Sequence, residues 1–137
     1  ACDCVGVNAK RRLVPPFRAV SLCDNLAVMT ALGNDYGYEA IFLRQLESLF
    51  SPGAVLVAIS ASGKSPNLRR AVEFANAHQG VTFGIVGFDG GALKKTCRHV
   101  LHTPSEKGAS GHGEDLALIV YHRLSAYLLD AHAGPGR

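Results

Sequence analysis

The sequence predicts a three-layer α/β/α domain, doubly wound around a central parallel sheet. Three observations predict it: short apolar runs rich in β-branched residues, segments of helical periodicity between them, and glycine-rich joins. The run Ala54 to Ile59 sets the pattern, with Val55, Val57 and Ile59 interleaved with Leu56 and Ala58. Near-continuous hydrophobicity of this kind belongs to a strand buried on both faces. Strands that alternate with helices are joined by right-handed crossovers, which keep the sheet parallel and lay helices against it.

Taken in order, Phe17 to Leu22 reads as a first buried strand and Cys23-Asp24-Asn25 as the turn after it. Asp24 stands where a helix N-cap would, ahead of Leu26, Ala27, Val28 and Met29. Gly33-Asn34-Asp35 breaks that helix, and Tyr38, Ile41, Phe42, Gln45, Leu46 and Leu49 then recur at helical spacing until Ser51-Pro52-Gly53. After the strand 54–59, Ser60 to Pro66 turns the chain into a helix carrying Leu68, Ala71, Val72 and Ala75, closed by Gly80 in a left-handed cap. Thr82 to Val86 is the next strand, Asp89-Gly90-Gly91 a turn, Ala92 to Thr96 a short helix and His99 to His102 a weaker strand. From Glu114 to His132 the apolar positions Leu116, Ile119, Val120, Leu124, Tyr127 and Leu128 form one long amphipathic helix. No repeat, linker or low-complexity tract interrupts the pattern, so residues 1–137 read as a single domain.

Composition narrows the function classes. With 47% hydrophobic and 18% charged residues in 137, the chain carries enough apolar material for a core. The net charge of +3 is modest, and its strongest cluster, Lys10, Arg11 and Arg12, is too short for the cationic face that nucleic-acid binding requires. Cys2, Cys4, Cys23 and Cys97 form neither a CxxC pair nor a zinc-finger spacing, which points to reduced thiols in the cytoplasm. No apolar run reaches the ~18 residues of a membrane span. The expected partners therefore include neither nucleic acid nor a membrane.

One loop carries the chemistry. Ser60-Ala61-Ser62-Gly63-Lys64-Ser65-Pro66 follows a buried strand and opens a helix. Closely spaced hydroxyls, a glycine that lets the backbone approach closely and a helix N-terminus with unsatisfied N–H groups are the ingredients of a phosphate cradle. Lys64 adds a cation, and Pro66 suits the first helical turn. The segment is not a Walker A loop, because Ser60 occupies the position of that motif's first glycine.

The pattern S-x-S-G-x-S after a strand resembles the sugar-phosphate loop of sugar isomerase (SIS) domains, whose sheet is flavodoxin-like. Upstream, Leu32-Gly33-Asn34-Asp35-Tyr36-Gly37-Tyr38 with Phe42 and Gln45 resembles the phosphoheptose isomerases. The resemblance implies an aldose–ketose isomerase for a phosphorylated sugar such as sedoheptulose 7-phosphate. It implies that Ser60, Ser62 and Ser65 bind the phosphate and that Asp24 reaches the sugar hydroxyls. Ala61 stands in place of the usual Thr and Lys64 in place of the usual Asn, so both bear on the sugar side of the pocket. Asp3 aligns with an early acidic residue and Glu114 with a late Glu, which makes them the implied catalytic pair. The late His falls on Leu116 or Ala117, and the Gln before the Glu on Gly113, so neither a metal nor another cofactor is expected. The resemblance also implies a helical segment ahead of the position of Ala1, which this chain is expected either to lack or not to show. The alternative is a non-catalytic SIS module that binds a sugar phosphate as a sensor or scaffold. Independently of the resemblance, apolar residues spread around more than one face of the final helix predict a homodimer or homotetramer.

Overall fold

The computed structural model describes residues 18–106 and 110–133. Chain order is α1 (Leu26–Tyr36), a single 3₁₀ turn (Tyr38–Ala40), α2 (Ile41–Leu49), β1 (Val55–Ser60), α3 (Pro66–Ala77), β2 (Val81–Val86), α4 (Leu93–Thr96), β3 (His99–His102) and α5 (Ser110–Ala133). The strands form one parallel sheet in the order β1-β2-β3. The chain is thus α/β with a parallel sheet, as expected.

Strand order explains where the helices lie. Both crossovers step in the same direction, so right-handed connections put α3 and α4 on one face. There Ala58, Val72, Val86, Leu93 and Cys97 form a buried cluster, with Leu56, Leu68 and Val100 packed against it. A second cluster, Ile41, Phe42, Leu46 and Ala71, joins α2 to the back of α3 and takes Met29 and Leu32 from α1. Thr82 is fully buried, and its hydroxyl donates to Asn76 Oδ1 at 2.8 Å while accepting the Arg98 N–H at 2.9 Å. Asn76 Nδ2 donates to the Thr96 carbonyl at 2.8 Å, so one polar network ties α3, β2 and the start of β3 together.

Several sequence expectations need correction. The described part of the segment 17–22 is not a strand; Phe17 lies outside the described residues. Instead Asp24 N–H donates to the Ser21 carbonyl in a turn, and the Leu22 carbonyl accepts from Gln45 Nε2 at 3.1 Å, which ties the end of the segment to α2 rather than to the sheet. The cap of α1 is Asn25, whose Oδ1 accepts from Val28 N–H at 3.1 Å, and not Asp24. The helix runs through Gly33 to Tyr36, and the break comes at Gly37, which has φ +82°. After α3 the left-handed residue is Gln79, with φ +62°, rather than Gly80. Gly80 has another reason to be glycine: a Cβ there would lie 2.4 Å from the Phe50 ring. Finally, Leu116, Ile119, Leu124 and Tyr127 of α5 are exposed, and among its described side chains the buried one is Ala117.

Candidate phosphate-binding site

The site begins at the carboxyl end of β1. Ser60 pairs in register with Val86, and Val86 with His102, so the loops after all three strands leave the sheet side by side. This is where an open parallel sheet binds ligands.

The loop after β1 is organised by its own hydroxyls. Ser60 Oγ, almost fully buried, accepts the Gly63 N–H at 3.0 Å and lies 3.4 Å from Ser65 Oγ. Ser62 Oγ accepts the Lys64 N–H at 3.2 Å. A hydroxyl that accepts from the backbone still has its own proton to give, so the same contacts that shape the loop leave donors for an anion. Ser65 is the N-cap of α3 but makes no side-chain cap bond, and the first turn carries no acidic residue. Asn67, itself buried, turns its Oδ1 to the Leu68 N–H at 2.9 Å. The positive end of a three-turn helix therefore faces the serines without a competing carboxylate.

A second loop, 87–91, holds the first. Gly63 has φ +63°, and a Cβ there would sit 2.0 Å from the Gly90 carbonyl oxygen; a Cβ on Gly91 would meet the Gly63 backbone at 2.5 Å. Gly87 lies as close, its Cβ position being 2.7 Å from the Ala61 oxygen. The two backbones can touch only because these residues lack side chains. Leu93 N–H donates to the Gly63 carbonyl at 3.0 Å and Gly87 N–H to that of Ser60 at 3.3 Å. Phe88, at φ +43°, is anchored on both sides: its N–H donates to Ser105 Oγ at 3.3 Å and its carbonyl faces His102 Nε2 at 2.9 Å. A carbonyl only accepts, so Nε2 bears the proton and Nδ1 accepts from Lys94 Nζ at 3.0 Å.

Lys64 Nζ pairs with Asp89 Oδ2 at 2.8 Å, and both side chains are 63% exposed. Asp89 Oδ1 accepts the Gly91 N–H at 3.1 Å. The bond from Lys64, followed by that from Gly91, holds the Asp89 carboxyl below the usual carboxylate range.

Beside the loop lies a cavity of about 530 Å³ between the sheet and α5. Ile59, Ala61, Ile85 and Gly87 line it from the sheet side, and Asp115, Ala117, Leu118 and Tyr121 from the helix, with Thr103 at the end of β3. It lies over the face opposite α3 and α4. Another cavity, of about 480 Å³, lies far from the serine loop, against Phe50, Phe74 and His78.

The chain matches phosphoheptose isomerases in sequence and in fold. The protein of that name from Pelobacter propionicus is 42% identical over 106 residues, 77% of this chain and 54% of the relative. That from Maridesulfovibrio salexigens is 35% identical over 127 residues, 91% of this chain and 62% of the relative. The solved phosphoheptose isomerase of Neisseria gonorrhoeae superposes with a TM-score of 0.72 at 31% identity, covering 82% of this chain and 61% of that one. The Francisella tularensis structure gives 0.69 at 31% identity over 84% and 58%. The chain is a homologue of the phosphoheptose isomerases. It spans about half the length of the curated relatives it matches, and no protein-family model matches it.

Against that kinship, the expected site residues divide four ways. Ser60, Ser62 and Ser65 come together in one loop, with Ala61 on the cavity wall beside them. Lys64 is in the loop, but its amine is turned to Asp89. Asp24 is exposed ahead of α1, which packs chiefly on the 3₁₀ turn and α2. Asp3 lies outside the described residues, and Glu114 falls within α5 with its side chain outside them. Asp89, Thr103, Asp115 and Tyr121 were missed by sequence reasoning. The one signal was for Asp89, whose following glycine doublet marks a backbone approach without saying to what. Among the described residues no three His, Cys, Asp or Glu side chains stand close enough to share a metal ion.

Proposed function

We propose that this chain carries the phosphate-binding part of an aldose–ketose isomerase acting on a phosphorylated sugar, with sedoheptulose 7-phosphate or a related heptose phosphate as substrate. One observation carries the reading: the Ser60 and Ser65 hydroxyls stand 3.4 Å apart where β1 leads into α3, with Ser62 in the same loop and no side-chain cap bond from Ser65, in a homologue of phosphoheptose isomerases. The phosphate takes the hydroxyl protons of Ser60, Ser62 and Ser65 and the Asn67 N–H, since Pro66 has no N–H to give and that of Leu68 is held by Asn67 Oδ1. The sugar then extends past Ala61 into the cavity under α5; Asp24, on the α2 side, remains a proposed sugar contact that this chain's own cavity does not include.

For the ketose, isomerisation removes a proton from carbon 1 and returns one to carbon 2 through an enediol, while the O1 proton is lost and O2 gains one. Glu114 is the proposed base, because it lies in the second turn of α5, next in sequence to Asp115, which lines the cavity; the helix begins at Ser110, ahead of the expected start at Glu114. Asp3 is the proposed second acid. The cytoplasm is the proposed compartment, consistent with the free thiols of Cys23 and Cys97. No helix among the described residues is long and apolar enough to cross a membrane. The exposed apolar residues of α5 support a homodimer or homotetramer. Sedimentation at micromolar concentration tests that, and a monomer contradicts it.

Calorimetry with a heptose 7-phosphate and the unphosphorylated sugar tests the site. Binding is expected for the phosphate alone, and equal affinities overturn the reading. Ser62→Ala should cost roughly 1.5–3 kcal/mol of binding if its hydroxyl donates one full charge-assisted hydrogen bond. Deuterium uptake at carbon 2 from deuterated water tests catalysis. Full exchange by Glu114→Gln removes the proposed base, and no exchange by the unaltered chain with binding intact leaves a binding module.

A further inference from the structure

The lysine in the serine loop invites the assumption that it neutralises phosphate. Its surroundings argue otherwise. Lys64 N–H is held by Ser62 Oγ, and Nζ spans to Asp89 on the neighbouring loop at 2.8 Å. Asp89 uses its other oxygen to hold the Gly91 N–H, and Gly91 is packed on the backbone of Ser62 and Gly63. The contacts thus close a ring: Lys64, Asp89, Gly91, Gly63 and back to Lys64. A cation paired at this distance presents a dipole rather than a net charge to an incoming anion, and Asp89 would repel that anion if Lys64 left it.

We propose that Lys64 and Asp89 form a clasp that holds the serine loop against the Gly87–Gly91 loop, so that Lys64 positions the phosphate cradle and does not itself contact the phosphate. This rests on the reading of the serine loop as a phosphate site. Gly63 keeps a left-handed conformation while its N–H holds Ser60 Oγ, and it does so seated on Gly90 and Gly91. Backbone hydrogen bonds from Gly87 and Leu93 fix the inner edge of that seat. The clasp fixes the outer edge, where both side chains are exposed and the tie is correspondingly weak.

The test is titration of the full chain with inorganic phosphate and with a heptose 7-phosphate. The proteins are the unaltered chain, Lys64→Met, Asp89→Asn, the double variant, and the charge-reversed pair Lys64→Asp with Asp89→Lys. A clasp predicts that each single change weakens binding about two- to fivefold, the range set by an exposed ion pair. The double variant should be no worse than either single one, and the reversed pair should return to within about twofold of the unaltered chain. A lysine that contacts phosphate gives the opposite pattern: Asp89→Asn binds more tightly, and the reversed pair, with a carboxylate in the cradle, loses binding. Either of those results overturns the clasp, as do variants that all bind like the unaltered chain. If the unaltered chain binds neither probe, the phosphate reading fails by itself. Amide hydrogen exchange at Gly63 and Gly91 then decides the clasp: faster exchange in both single variants with recovery in the reversed pair supports it, and unchanged exchange overturns it.

Discussion

The two faces of the sheet are made from alternate residues of the same strands, and they meet different fates. On one face Ala58 is 2% and Val86 1% exposed, pressed against Val72 of α3 and Leu93 of α4. On the other, Val55, Val57 and Ile59 stand 64%, 41% and 40% exposed, with α5 reaching only the cavity near Ile59 and Ile85. Residue type does not separate them, since both are apolar. Winding does: two crossovers in the same direction deliver both helices to one side. Stability among the described residues is thus concentrated on the α3–α4 side, whereas the cavity of the candidate site opens on the other.

A pair of truncations breaks this comparison most directly. Leu93→Ala empties a fully buried position and should cost about 3 kcal/mol of unfolding free energy. Val57→Ala removes carbon that is already partly in water and should cost less than about 1 kcal/mol. Urea denaturation of both variants measures the contrast. Equal losses would mean that the face bearing Val57 is covered as thoroughly as the other.

Next in size is Gly63→Ala, placed where the loops from the two strands touch. A side chain at φ +63° costs ~1–2 kcal/mol by itself. The 2.0 Å approach to the Gly90 oxygen also forces the loops apart, for a total on the order of 3 kcal/mol. Sugar-phosphate binding should be lost along with this stability. A variant that kept full binding would show that the cradle does not depend on its glycine seat.

How legible all this was depended on range. β3 matches the expected His99–His102, β1 shifts by a residue, β2 starts one residue early and ends as expected, and the serine loop stood out because its parts adjoin in sequence. Glycines misled, because the same residue serves different ends. Gly33 lies inside α1, where a Cβ would make only an ordinary 3.8 Å contact with Ile41, whereas Gly37 adopts the positive φ that ends the helix. The apolar run before Leu22 carried no sign that Gln45, far along the chain, would take its carbonyl. Likewise the Lys64–Asp89 pair and the cavity exist only because Ser60 lies in register with Val86, a fact of pairing rather than of local pattern.

A smaller effect is expected at Thr82, on the covered face. Thr82→Val keeps the shape but strands the Arg98 N–H and removes the donor to Asn76, which should cost ~1–3 kcal/mol. Loss of protection at the Arg98 amide in hydrogen exchange, beyond the global change, would locate the damage. A neutral outcome would mean that water replaces the hydroxyl, and that the covered face is less sealed than its burial suggests.

The smallest effect lies at the exposed rim where the loops meet, and it is best read as a titration. Asp89 is held below the ordinary carboxylate range, first by Lys64 and then by the Gly91 N–H. A lowered value means that the folded state favours the ionised form. That contribution is complete above the unfolded carboxyl's range and disappears as pH falls through Asp89's own lower value. Carbon-detected NMR of the Asp89 carboxyl should therefore show titration below the ordinary range in the unaltered chain. In Lys64→Met the midpoint should move up most of the way but not entirely, because the Gly91 N–H remains. Screening by salt should shrink the difference between the two proteins, since the pair stands in solvent. An identical midpoint in Lys64→Met would show that the ammonium spends its time elsewhere, and would leave Gly91 alone to hold the carboxylate.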